Sequence, residues 1–494
     1  MHEDLTNSYQ KPPVDIFGRA VKSGFWLLGL RVFAQLLVLV RITILCRLLE
    51  PKDFGLLGVA TLTMAMMLSF TEIGLRPALI QKKSNAKDYL DVAWTFEVIR
   101  SFVLFAVIYL VAPYVAAFFN RPDACGVIRL VAVSLILEAF TNIGTVYFEK
   151  ELEFSKHFVL NVVGMLVGTV VAVILALKYR NVWALVIGRL AESTVKCAVS
   201  YVIHPYRPRI SLNISKIKEL WQFGRHIFTV TVLKYFCLHG DDALLGKMLG
   251  ADALGFYQKA FQVGTMVANE IGNKVSQIAF PAYSKLQDNL EKLRAGYFKA
   301  VQLTSLIVFP IAGGIIVLAY EFTEIVLSAK WLPMVPAMQI LCLLGPLKCM
   351  QRESVFMGMG RPDIITRLSI YRFVIMAATI YPLTVKFGMV GTSFCVLGTA
   401  VVLQPVGFYE LKKLVGITFS RVLKILFLPI AATLLMVLSV FATKTALESV
   451  GVVWLLLLMF QGGIVYLVLI LLAGLVAKDY NMIVLIRDIL KGLK

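Results

Sequence analysis

Charge is scarce in this chain. Only 16% of its residues are Asp, Glu, Lys or Arg, and 59% are hydrophobic, whereas soluble domains carry about 25% and about 45–50%. A soluble globular domain is therefore excluded. Histidine is scarcer still: the five present show no metal-ligand spacing, so a metal centre is not expected. The seven cysteines are dispersed without a CxxC pair, most of them within or beside apolar runs, where a thiol behaves as a small apolar group. Neither GxSxG nor HExxH occurs. The stretch GDDALLGKM (240–248) resembles a phosphate loop, but it has one residue too many between its glycines and lacks the Ser or Thr after Lys. Long hydrophilic loops are also missing, since gaps between apolar runs stay under about 20 residues, too little to hold a sugar nucleotide. Catalytic activity and cofactors are not expected.

Acids are outnumbered, 30 against 49 bases, for a net charge of +19. Much of the excess sits in short loops, as at Arg207, Arg209, Lys216 and Lys218, or Lys412 and Lys413. Anionic lipid headgroups explain such placement, and no nucleic-acid partner is expected.

What remains is apolar runs of membrane length. A span needs about 20 predominantly apolar residues, and roughly fourteen such runs fit between Phe25 and Ala477. They are predicted at 25–46, 55–79, 89–112, 126–148, 156–177, 181–203, 220–243, 255–279, 298–320, 332–357, 363–385, 389–410, 421–442 and 452–477. The first 24 residues lack the short apolar core of a signal peptide. With the N-terminus placed in the cytoplasm, Lys and Arg concentrate in the cytoplasmic segments, and the C-terminus falls on the same side.

The chain also repeats itself. RLLEPKDFGLLGVA, from Arg47, aligns with KMLGADALGFYQKA, from Lys247, through Leu49/Leu249, Gly55/Gly255 and Ala60/Ala260, and the phrase EIG recurs at Glu72 and Glu270. Six predicted spans separate the copies, an even number, so both copies cross in the same direction. The expected fold is all-α: two six-helix lobes related by a parallel repeat, plus two C-terminal helices. Its divisions are a cytoplasmic segment (1–24), an N-lobe (25–203), a cytoplasmic linker (204–219), a C-lobe (220–410), two further spans (411–477) and an amphipathic cytoplasmic tail (478–494).

Charged side chains inside spans cost a few kcal/mol each and mark cavities or partners. Lys and Arg outnumber Asp and Glu there, which predicts a cationic central cleft. Candidate substrate-binding residues are Arg31, Arg41, Arg100, Lys234, Asp241, Lys348 and Arg372. Lys234 and Arg372 stand out because neither has an acid in its own helical turn. By the repeat Arg41 corresponds to Asp241, which would let the first and seventh helices face each other with opposite charges. Asp241, Asp242 and Glu270 are candidates for ion coupling. Three acid–base sets at helical spacing, Glu72 with Arg76, Glu270 with Lys274 and Arg189 with Glu192, are expected structural ion pairs. Glu97 and Arg100 admit the same reading beside the substrate one.

Together, RLLEPKDFGLLGVA, EIGLRPALIQ, NVWALV from Asn181, DDALLGKMLGADALGFYQKA from Asp241 and FPAYSKL from Phe280 resemble the polysaccharide transporters of the MOP exporter superfamily, most of all Wzx-type flippases like the colanic acid exporter. The resemblance spans about residues 20–410. Where that family more often has Asp, this chain has Glu72, which keeps the charge. The resemblance implies an inner-membrane flippase that carries an undecaprenyl-diphosphate-linked oligosaccharide outward for exopolysaccharide, capsule or O-antigen synthesis. A polysaccharide polymerase and a chain-length regulator would be its partners. Rival readings are a lipid II flippase or multidrug exporter of the same superfamily, and a membrane-embedded polysaccharide synthase. A cation extruder should line its cleft with acids rather than bases.

Overall fold

The computed structural model describes residues 33–71, 87–150, 154–350, 352–447 and 451–476, with backbone alone for 87–88, 149–150, 154, 214–230, 234 and 475–476. Its long helices are α1 (33–48), α2 (Pro51–Thr71), α3 (Lys87–Phe118), α4 (Ala124–Ala139), α5 (Phe154–Tyr179), α6 (Val182–Ile203), α7 (Ile214–Lys285), α8 (Leu290–Phe322), α9 (Pro362–Val415), α10 (Phe419–Ala446) and α11 (Val452–Val476). No strand occurs among the described residues. Eight helical stretches there are long and apolar enough to cross a membrane. The outermost of these present large apolar side chains outward, as at Leu110 and Phe460, each 69% exposed. Lipid is the solvent such a surface requires.

Local chemistry explains the helix boundaries. Pro51 stands at the first position of α2, where its missing N–H leaves no bond unmade. Two residues on, the Asp53 carboxylate reaches back to accept from the Glu50 N–H at 3.0 Å, one half of a capping box. Asn181 starts α6 by accepting from the Trp183 N–H at 3.2 Å. Gly416, with φ 73°, closes α9 in the left-handed conformation after Lys412 and Lys413.

Two predicted divisions are not interruptions of the chain. The seventh and eighth predicted spans form the single element α7, bent at Gly250 (φ 85°), and the eleventh and twelfth form α9, bent at Gly388 (φ 58°). Left-handed φ turns the helix axis without a loop, and glycine tolerates it. The predicted span 332–357 is instead broken into a 3₁₀ segment (Ala329–Met334) and short helices Val335–Cys342, Leu344–Lys348 and Arg352–Gly358. Pro333, Pro336 and Pro346 each remove a helical donor there.

The N-terminal helices meet the later ones along a close crossing of α2 with the second arm of α7. A Cβ on Gly55 would collide with the Ala251 carbonyl, and one on Gly255 with the Pro51 carbonyl. Backbones approach this closely only where side chains are absent. Small residues also seat α6 on α5, with Gly168 and Gly188 each facing the other's carbonyl.

The segment after α6 lies strapped across the N-terminal helices. The Asn142 amide donates to the carbonyls of His204 and Tyr206, at 3.3 and 2.6 Å. Asp91 accepts from the Tyr206 hydroxyl at 2.6 Å and the Arg209 N–H at 2.7 Å. Burial, together with the Asp91 carboxylate, pushes the Tyr206 phenol well above its ordinary pKa, so it stays a donor at neutral pH.

Candidate functional site

The residues at one end of the helices form a seal. Trp331 is fully buried, donates from Nε1 to the Cys46 carbonyl at 2.8 Å, and packs edge-on against Phe54 and Phe256, with ring centroids 5.3 and 5.7 Å away. Around it, Arg47 donates to the carbonyls of Val326 and Ile325, and Lys330 to the Arg47 carbonyl at 3.1 Å. Arg121 and Asp252 close the rim with a 3.0 Å ion pair. Lys259 lies over the Phe54 ring at 4.6 Å and donates to Gln262 at 2.9 Å. It therefore packs between helices instead of snorkelling to an interface.

Below this seal lies a cavity of about 520 Å³, and beside it another of about 280 Å³ that shares His239, Asp242 and Gln258 with the first. Gln258 and Glu270 stand about 12 and about 30 Å along α7 from Gly250, at 1.5 Å per residue, so the larger cavity reaches deep into the span. Its wall is one helical stripe of α7, Gln258, Gln262, Thr265 and Asn269, faced by Gln35 of α1 and by Asp241 and Asp242 from the first arm of α7. Asp241 is 4% exposed; one oxygen accepts from the Tyr257 hydroxyl at 2.6 Å and the other has no hydrogen-bond partner among the described residues. Asp242 stands 3.8 Å from His239 Nδ1.

The charged side chains expected in a cleft are distributed differently. Arg41 pairs with Glu192 at 3.0 Å, not with Asp241, and Lys196 holds the same carboxylate at 3.0 Å. Glu192 can occupy that position because it packs over Gly168, whose missing side chain leaves the room. Arg189, expected as its partner, instead lines the smaller cavity, and its buried Nε has no hydrogen-bond partner among the described residues. Arg100 donates to the Thr71 carbonyl at 3.0 Å and to Glu97 at 2.8 Å. Glu270 lines the larger cavity, while Lys274 donates to Gln277 at 3.4 Å, so these two do not pair. Three carboxylates thus line the larger cavity, and no Lys or Arg does so among the described residues. Two of the mid-span bases expected in a cationic cleft, Arg41 and Arg100, are instead taken up by Glu192, Glu97 and a carbonyl.

Two bases among the described residues stand beside the cavity. Lys348 donates to Asn269 Oδ1 at 2.6 Å, which joins it to the α7 stripe. Arg372 lies within electrostatic reach of Asp241 and of Lys348. Arg352 is tied instead to the carbonyls of Leu403 and Gln404, at 3.3 and 3.1 Å. Arg31, Glu72 and Arg76 lie outside the described residues, and of Lys234 only the backbone is described. No cluster of three or more His, Cys, Asp or Glu suited to a metal ion occurs among the described residues.

Charge alone does not mark the amide part of this wall. Gln258, Gln262, Thr265 and Asn269 fall at helical spacing, a signal present in the sequence. Tyr257, one residue off the stripe, turns to Asp241.

The all-helical fold with a polar cavity below a sealed end defines a multi-pass membrane protein of transporter type. Its fold is similar to that of the lipid II flippase MurJ in an inward closed conformation, with a TM-score of 0.75 at 12% identity over 91% of this chain and 99% of that one. Residues 44–336 match the family described as "Polysaccharide biosynthesis protein", and the chain belongs to that family. It is 26% identical to an uncharacterized membrane protein in the cps region of Klebsiella pneumoniae, over 92% of this chain and 95% of that one. It is also 23% identical to the lipopolysaccharide biosynthesis protein WzxC of Escherichia coli (strain K12), over 79% and 80%.

Proposed function

We propose that this protein is a flippase that moves a lipid-linked oligosaccharide across the bacterial inner membrane for surface polysaccharide synthesis, by alternating access and without catalysis. The observation that carries the reading is a polar cavity sealed at one end, inside a chain of the polysaccharide biosynthesis family. Such a substrate has a hydrophilic head that cannot cross about 30 Å of hydrocarbon unaided. The cavity shelters the head while the lipid tail stays in the bilayer.

The architecture behind this is fourteen spans, in two six-helix lobes (25–203 and 220–410) related by a parallel repeat, joined by 204–219 and followed by two more spans. Support comes from the reciprocal contacts of Gly55 and Gly255. Further support comes from the left-handed breaks at Asn120 and Arg180, which recur at Ser328 and Gly388 after the same interval in each case. Both termini are taken as cytoplasmic, so the seal faces outward.

The diphosphate, with about two negative charges, is assigned to the bases beside the cavity: Lys348 and Arg372, with Arg189 on the smaller cavity and Arg31 and Lys234 as further candidates. Charge-assisted hydrogen bonds from such bases are the strong ones. An inside-negative potential of about 100 mV favours outward movement of those charges by about 4–5 kcal/mol. Asp241, Asp242 and Glu270 are the candidates for ion coupling. A polymerase and a chain-length regulator would act after it.

Reconstitution into vesicles tests the function. Purified protein should expose an undecaprenyl-diphosphate-linked glycan to an externally added glycosidase, and a rate equal to that of empty vesicles would refute the reading. The three cavity carboxylates favour one second reading, a cation extruder of the same superfamily. Saturable uptake of an organic cation dye, with no movement of the lipid-linked glycan, would establish that one instead.

A further inference from the structure

Opposite charge does not explain the wall of the larger cavity. A diphosphate is repelled by Asp241, Asp242 and Glu270, and the described lining holds no Lys or Arg to offset them. What those carboxylates and the neighbouring amides accept well is a neutral, hydroxyl-rich group. We propose that this cavity is the glycan subsite: Gln35, Gln258, Asp242 and Glu270 read sugar hydroxyls beside the Phe261 ring, while the diphosphate stays outside at Lys348 and Arg372. The proposal rests on the flippase reading and adds which wall meets which half of the substrate.

Several independent features point to a ligand of this chemistry. The volume, about 520 Å³, falls within the range of small-molecule sites. Asp241 is buried, and one of its carboxylate oxygens has no hydrogen-bond partner among the described residues. The amide of Gln258 makes no hydrogen bond among the described residues, and neither does that of Gln35 on the opposite wall, so both keep a donor and an acceptor for a diol. Gly58 makes room for this, because a Cβ there would lie 2.5 Å from Gln258 Oε1. Phe261, one turn from Gln258, offers an apolar ring for the C–H face of a pyranose. Lys348 binds the far end of the same stripe through Asn269, and so marks where glycan gives way to phosphate.

The test measures binding of two probes to the full-length purified protein: undecaprenyl diphosphate alone and the same carrier bearing a pentasaccharide. For wild type, the glycosylated carrier should bind at least tenfold tighter. Gln258→Ala with Gln35→Ala should remove about tenfold of that affinity, the effect of an unpaired hydrogen-bonding site, and leave the bare carrier unchanged. Unchanged binding of the bare carrier also shows that the variant is folded. Gly58→Ala, which crowds the Gln258 amide, should act in the same direction. If the variants weaken both probes alike, or neither, the subsite is refuted and the flippase reading stands. If wild type binds neither probe, the flippase reading fails, and the subsite with it.

Discussion

The seal and the cavity stand on the same helices yet treat their polar groups in opposite ways. At the seal, Trp331 Nε1, Arg47 and Lys330 each end on a backbone carbonyl of another segment, and Arg121 ends on Asp252. In the cavity, one Asp241 oxygen and the amides of Gln258 and Gln35 are left unmatched among the described residues. Buried polar groups are ordinarily satisfied, so the first region is built to hold a shape and the second to receive something. Alternating access requires the seal to be breakable, and its bonds to carbonyls meet that need: water replaces such partners when the halves part.

The largest effect is expected at Trp331. Trp331→Ala removes a fully buried ring and its hydrogen bond, and should destabilise the protein by about 3–5 kcal/mol, read as early thermal aggregation in detergent. Next come the crossing glycines. Gly55→Ala and Gly255→Ala should each cost about 1–3 kcal/mol, and by similar amounts, since each new Cβ meets the other helix's backbone; clearly unequal effects would argue against the two-fold relation. On the cavity side, Lys348→Ala should slow glycan-lipid transport about tenfold with a normal melting profile, the mark of a group that serves substrate rather than fold. Smallest is Arg121→Ala at the solvent-exposed rim. It should change stability by less than about 1 kcal/mol and show mainly as easier opening, measured by thiol labelling of Cys46.

Much of the fold was legible from apolar runs. The predicted spans 89–112, 156–177 and 421–442 fall inside Lys87–Phe118, Phe154–Tyr179 and Phe419–Ala446. The bend at Gly250 and the break-up of 332–357 were less so, because hydropathy averages over the glycines and prolines that cause them. The site was legible only in part. Arg41 and Glu192 stand on different helices, and no spacing rule relates such a pair. Gln258, Gln262 and Asn269 did carry a helical period, but neutral amides leave no trace in a ledger of charge. Excess positive charge in the spans predicts a cationic cleft, whereas Glu192 and Glu97 hold two of those bases in the packing between helices.

The most direct test is to lock the seal. With the seven native cysteines replaced, Arg121→Cys and Asp252→Cys set two thiols across the rim where the ion pair now stands. A short bismethanethiosulfonate crosslinker should abolish transport of the lipid-linked glycan, and reduction should restore it. Full transport by fully crosslinked protein would rule out alternating access through this end, because the seal would then never need to open.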